Sequence, residues 1–337
     1  MRPAPSWSGL ARAGLAAAGV AAIAWLVRSA GMGGVARAVA GAGPWLPWIA
    51  LGEFAAIASD VVALRLILGE RGVAVPGGVW LRSAMSAYAA MVFLPSGRGV
   101  GEIARAAMLG PHVGVARAVA AGTSLQGLFL WANAIVCIPC WLAVASVAGP
   151  SSALAGLLAA NALIAAVVSV ALLRGLRHAT IGAWLGRRVS RLAAHGPQFD
   201  AALRELPAPP VGAYVAAALG RLGQVVQAGA LLAAVGVPVG VVPSLVCEAI
   251  HLVASGAGDL IPGQLGVSEA SYRLFAAHLG LTHAAAAAVA IALVHRTCKV
   301  VLGSVCAVGA AMPSVGATSR TSSCATTPAA SGRIRSR

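Results

Sequence analysis

The chain has 337 residues, 59% hydrophobic and 10% charged, against roughly 45–50% and about 25% in soluble domains. With a mean hydropathy of +0.86 and a net charge of +15, it is no ordinary soluble domain. Its arginines lie in loops between apolar runs, with no basic motif interleaved with aromatics, which argues against a nucleic-acid binder and for the positive-inside pattern of membrane proteins.

Residues 9–27 read as a first span, flanked by Arg2, Arg12 and Arg28 and followed by no small-x-small cleavage site, hence an uncleaved anchor. A second span at about 44–68 carries Glu53 and Asp60. A carboxylate inside a span costs about 2.5–3.5 kcal/mol on insertion scales, so it faces protein or a wet cavity. Asp60 is expected to pair with an arginine such as Arg65 or Arg82. An apolar helix at about 78–94 then closes at Pro95, and Gly97, Gly99 and Gly101 are not expected to sustain a helix. A second, shorter helix resumes at Glu102 and runs to Gly110-Pro111. Both pieces fall short of the roughly 20 residues of a full crossing. Together they predict a re-entrant hairpin, whose broken backbone must be buried in protein or line a cavity.

Residues 115–147 and 151–173 form two further spans joined at Gly149-Pro150. The polar segment 174–210 is expected in the cytoplasm, either as a basic amphipathic helix on an anionic membrane surface or as a plain solvated connector. A span at 211–235 carries Arg221, Gln224 and Gln227, residues 243–280 repeat the hairpin pattern, and a last span at 284–311 holds His295, Arg296 and Lys299. Cys137, Cys140, Cys247, Cys298 and Cys306 lie in apolar runs, where a thiol packs as a small hydrophobe; the Cys137-x-x-Cys140 pair lacks a second ligand pair, so no metal is expected. The fold class is thus all-α, a polytopic integral membrane helical bundle over 1–312 with two Pro/Gly-broken re-entrant hairpins, followed by a disordered basic tail at 313–337.

The two hairpins share a motif. LPSGRGVGE at 94–102 and IPGQLGVSE at 261–269 align without a gap: aliphatic, Pro, three variable positions, Gly-Val, a small residue, Glu. Pro95 and Pro262 end the first arm; Gly99 and Gly266 let the backbone turn or another helix come close. Glu102 and Glu269 are expected in the first turn of the returning arm, where the helix dipole stabilises a carboxylate by about 0.3–1 kcal/mol. That alone would make each a capped helix, but two copies at matching positions point to function. Arg98 and Arg105 flank Glu102, and Arg273 lies one turn beyond Glu269; such arginines balance a carboxylate or grip a lipid phosphate. With both termini and the 174–210 loop in the cytoplasm, the hairpins enter from opposite faces, the inverted pseudo-repeat of transporters with a midplane site.

The motifs LPSGRGVGEIARAAML and IPGQLGVSEASYRLF resemble the paired signatures of the lysylphosphatidylglycerol synthase transmembrane, or flippase-like, family. VHRTCKVVLG, with Arg296 and Gly303, resembles its closing span, and the likeness runs from about residue 10 to 312. Thr123-Ser-Leu-Gln126 and Cys247-Glu248-Ala-Ile-His251 are most similar to the branch associated with hopanoid biosynthesis. The resemblance implies a multi-pass protein of the cell membrane that moves or presents a phospholipid, glycolipid or hopanoid-type lipid, in company with lipid-biosynthesis enzymes. It implies a substrate or gate set of Glu102, Glu269, Arg98, Arg105, Arg273, Arg296, Gln126 and Glu248, without cofactor. Lysyl-transfer relatives continue into a soluble catalytic domain, whereas residues 313–337 are a short tail, so no enzymatic activity is expected. Two readings compete with translocation. One is a non-catalytic accessory protein of a lipid-biosynthesis complex. The other is an intramembrane aspartyl protease built on Gly256-Ala-Gly-Asp259 and Asp60, which lacks that class's other elements.

Overall fold

The computed structural model describes residues 28, 32–94, 97–175, 178, 180–188, 195–258, 264, 266–281 and 285–312. The expected first span, Pro95, Asp259, Pro262 and the tail lie outside them. Helix α1 (Met32–Gly41) leads through a 3-10 turn into α2 (Leu46–Leu68) and the short α3 (Glu70–Val73). The first hairpin is α4 (Gly77–Phe93) and α5 (Gly97–Val113), followed by α6 (Val115–Ala148) and α7 (Ala153–Val170), the latter continuing as a π-helical turn to Gly175. A connector of α8 (Ile181–Arg188) and α9 (Gly196–Glu205) precedes α10 (Val211–Ala234). The second hairpin is α11 (Val241–Gly258) and α12 (Val267–Leu274), and α13 (Ala285–Ala311) closes the bundle. Helices α6, α7, α10, α11 and α13 are long and apolar enough to cross a membrane. Helix α2, at 23 residues, reaches about 34 Å at 1.5 Å per residue.

Small residues set the closest helix pairing. Along α2 and α10, Gly52 faces Gln227, Ala55 faces Gly223 and Ser59 faces Gly220, so the two run antiparallel; a Cβ on Gly52 would come 2.6 Å from Cβ of Gln227. Between apolar helices in lipid, such close approach replaces the hydrophobic effect as the source of attraction.

Two apolar cores occupy opposite ends of the long helices. One gathers Ala63, Leu64 and Ile67 of α2, Leu125 and Leu128 of α6, Ala213 of α10 and Leu109 of α5. The other gathers Ile49 of α2, Cys140 and Val144 of α6, Leu232 of α10, Ile250 of α11 and Phe275 beyond α12. The bases of the two hairpins therefore sit at opposite ends of the bundle, and their tips point toward its mid-height. Five cysteines are buried as free thiols in apolar packing.

The first hairpin corrects one sequence expectation. Helix α5 begins at Gly97 and runs straight through Gly99 and Gly101. Gly97 packs against the Met91 carbonyl of α4, and a Cβ on Gly101 would lie 2.7 Å from the Ala87 carbonyl oxygen. The glycines serve close antiparallel packing, which outweighs their intrinsic cost of about 1 kcal/mol each in a helix. In the second hairpin Gly258 packs against Gln264 and Val267, and the Tyr272 hydroxyl donates to the Cys247 carbonyl at 3.4 Å. The turn uses positive φ at Gln264 (54°) and Gly266 (81°).

Helix α13 touches both hairpins. Its Gly303 packs on Val92 and Phe93 of α4 and its Gly309 on Met85, while Arg82 Nη2 donates to the Ala310 carbonyl at 3.1 Å. Two turns before Gly303, α13 holds α12 through Arg296 and Glu269. The connector is a folded helix pair rather than a plain solvated link. Asp200 accepts from the amides of Gly182 (2.8 Å) and Ala183 (2.9 Å) at the start of α8. Leu203 is buried in the α5 end core, and Arg117 of α6 pairs with Glu205 at 3.0 Å. Trp184 stays exposed with Arg188 over its ring.

Candidate functional site

Between the two apolar cores lies a cavity of about 1200 Å³. It is lined at mid-height by residues 53–60 of α2, 125–133 of α6 and 217–224 of α10, and by both hairpin tips, Gly97 to Arg105 and Gln264 with Ser268. Its wall mixes apolar side chains such as Ile57, Met91 and Leu130 with five basic residues, Arg98, Arg105, Arg221, Arg296 and Lys299, and three acidic ones, Glu53, Asp60 and Glu102. Charged groups away from water are costly unless paired, and their concentration here marks a site.

On the first-motif side, Glu102 lies against Gly122 of α6, where a Cβ would come 3.1 Å from its Oε2, and Arg105 Nη1 stands 3.4 Å from its Oε1. Because α5 begins at Gly97, Glu102 falls past the first turn, so it is not the helix cap expected from the sequence. Asp60 pairs with Arg98 at 3.6 Å, instead of with Arg65 or Arg82. Arg65 turns its guanidinium toward Trp80, and Arg82 is taken up by the α13 carbonyl. Arg98 Nε also donates to Gln126 Oε1 at 2.9 Å. The guanidinium carbons of Arg98 and Arg221 lie 3.0 and 3.7 Å from the centroid of Phe129, which leaves room only for one on each face of the ring. Arg221 also donates to Gln224, yet its buried Nε has no hydrogen-bond partner among the described residues.

On the second-motif side, Glu269 is fully buried. It occupies the first turn of α12 and reaches back to the Gly266 amide at 3.1 Å, half of a capping box. Its carboxylate takes Arg296 from α13, Nε to Oε1 at 2.9 Å and Nη2 to Oε2 at 3.0 Å, and Arg296 also donates to the Gln264 carbonyl. Glu269 thus stands behind the wall and Arg296 in it. Arg273, half-buried on α12, and Glu248, buried on α11 near Arg221, are outside the lining.

The structure brings further residues to the wall that the motif-based set did not include: Glu53, Tyr88, His251, His295 and Lys299, with Phe129 and Arg221. Their signal in the sequence is spacing. Glu53 and Asp60, Arg221 and Gln224, and His295 and Lys299 recur at three, four or seven residues within apolar spans, placing each pair on one helix face. Among the described residues no cluster of three or more His, Cys, Asp or Glu side chains forms a metal site.

The chain matches the family described as the lysylphosphatidylglycerol synthase TM region over residues 11–307. No curated protein and no solved structure matches it. The matched stretch contains both hairpins, most of α13 and every residue of the cavity wall, on a helical bundle of membrane-spanning character. This multi-pass, lipid-related membrane protein therefore belongs to the lysylphosphatidylglycerol synthase transmembrane-region family.

Proposed function

We propose that the protein is a lipid translocase of the cell membrane. In this reading the two hairpins are re-entrant, form an inverted pseudo-repeat, and hold an anionic lipid headgroup in the cavity between their tips. The observation that supports it best is the cavity wall itself: five basic against three acidic side chains, set among apolar ones. A phosphate suits that excess, because a guanidinium binds it through two parallel hydrogen bonds. Arg98 and Arg221, held apart by Phe129, are the proposed phosphate contacts. Glu102, with Arg105 beside it, is the proposed gate on the first hairpin; Arg296, anchored by Glu269, is its counterpart on the second. The chain binds and moves lipid without changing its covalent structure, and the end carrying the connector and Arg82 faces the cytoplasm.

The test is reconstitution of the purified chain in vesicles with a fluorescent phosphatidylglycerol whose outer-leaflet share is bleached by dithionite. The expected result is faster loss of the protected inner-leaflet signal than in protein-free vesicles, and a return to the protein-free rate in the Arg98→Ala/Arg221→Ala variant. Bleaching no faster than in protein-free vesicles would leave the accessory role in a lipid-biosynthesis complex, read from co-purifying enzymes. Parallel vesicles with a glycolipid or a hopanoid probe sort the cargo.

A further inference from the structure

One stretch of the cavity wall is built from proton-exchanging groups rather than from phosphate-gripping ones. Glu53 of α2 is buried and accepts from Tyr88 of α4 (3.0 Å), Gln227 of α10 (3.1 Å) and His295 Nε2 of α13 (2.9 Å). Lys299 Nζ, one turn beyond His295, stands 3.8 Å from the same carboxylate. The ring of His251 on α11 lies 5.0 Å from that of His295, centroid to centroid. His251 Nε2 is 3.4 Å from Ser255 Oγ, and its buried Nδ1 has no hydrogen-bond partner among the described residues. Glu53, Tyr88, His251, His295 and Lys299 all border the cavity.

The charges in this cluster balance only while both imidazoles are neutral. Glu53 and Lys299 offset each other. Beyond them, Arg221 of α10 faces His251 and Arg296 of α13, itself paired with Glu269 of α12, faces His295, while Glu248 of α11 and Cys298 of α13 face Glu53 and Lys299. A proton taken by either ring adds one positive charge that Glu53, already matched by Lys299, does not cancel. Two protonated rings at this spacing would repel, so the pair holds a single proton. The missing counter-charge fits the anionic headgroup assigned to the adjoining wall.

We infer that binding of an anionic lipid headgroup in this cavity is coupled to uptake of one proton by the His251–His295 pair. The inference rests on the lipid-handling reading above and adds to it a driving ion. The proton passes from cavity water to an imidazole nitrogen and returns to water when the lipid leaves; no bond to the lipid is made or broken. By linkage, a headgroup that binds the protonated pair more tightly raises the pair's proton affinity by the same factor. An anionic lipid accompanied by a proton also crosses without net charge, which frees its movement from the membrane potential.

The test uses the purified full chain in detergent, weakly buffered with a pH-indicating dye, and dihexanoyl-phosphatidylglycerol as the probe, with binding followed by tryptophan fluorescence. The expected result is uptake approaching one proton per bound lipid, with affinity tightening by at most about tenfold per pH unit between pH 8 and 6. Dihexanoyl-phosphatidylcholine, which carries no net charge, is expected to give no uptake. The His251→Gln/His295→Gln variant should bind phosphatidylglycerol without proton uptake and with a flat pH dependence. If the double variant does not fold, His251→Gln/His295→Asn, which likewise removes both imidazoles, serves in its place. Binding without proton uptake by the unaltered chain overturns the coupling and leaves the lipid site standing; uptake that persists in the variant overturns its assignment to this pair. Failure to bind phosphatidylglycerol at any pH overturns both.

Discussion

Glu102 and Glu269 hold equivalent places in the repeated motif but do different work. Glu269 is buried, caps α12 and is fixed by Arg296; Glu102 borders the cavity with Arg105 at 3.4 Å. Removing one partner of a buried pair strands the other's charge, at a cost of about 3–5 kcal/mol. Arg296→Ala should therefore lower the thermal midpoint of the detergent-solubilised protein sharply, and the Glu269→Gln/Arg296→Gln double variant should recover part of that loss. Glu102→Gln leaves the buried Arg105 beside a neutral amide, so it should lower the midpoint as well, and it should abolish accelerated lipid exchange in vesicles. The motif exposes both glutamates to a reader of the sequence but hides this division, because their partners come from elsewhere. Arg296 is 27 residues from Glu269, and Asp60 passes over the nearby Arg65 and Arg82 for Arg98. Near-neighbour pairing fails here because Arg65 finds an aromatic face and Arg82 a helix carbonyl first.

At the scale of helices, apolar run length was a good guide. Helices α6 and α10 end within a residue of the expected spans at 115–147 and 211–235. The glycines were harder to read, since the same residue that weakens an isolated helix permits the closest packing between two. At Gly101 and Gly220 it does the second: one lies under the Ala87 carbonyl, the other against Ser59. Gly101→Leu should separate the arms of the first hairpin and Gly220→Val should separate α2 from α10. Each should cost about 1–3 kcal/mol, as overpacking in a tight interior does, visible as a lower thermal midpoint. Gly99, where a Cβ would meet nothing within 4 Å, should accept alanine with little change. The second hairpin is less legible than the first because its turn depends on Gln264 at φ 54°, a conformation that few residues other than glycine adopt and that the sequence does not advertise.

At the scale of the whole molecule, a group of arginines outside the cavity marks one end. Arg71, Arg82, Arg117, Arg174 and Arg204 lie near the connector, while the turns at 149–152 and 235–240 carry no Lys or Arg. Membrane-impermeant maleimide on intact cells should therefore label Ser151→Cys directly and Thr180→Cys only after permeabilisation, in a chain with Cys324→Ser; the five cysteines described are buried and should stay silent. Helix α13 gives the assembly a mechanical property as well. It is seated on the first hairpin through Gly303 and Gly309 and tied to the second through Arg296. In the translocase reading, this one helix would couple the two hairpins, so that a displacement of either would be felt at the other.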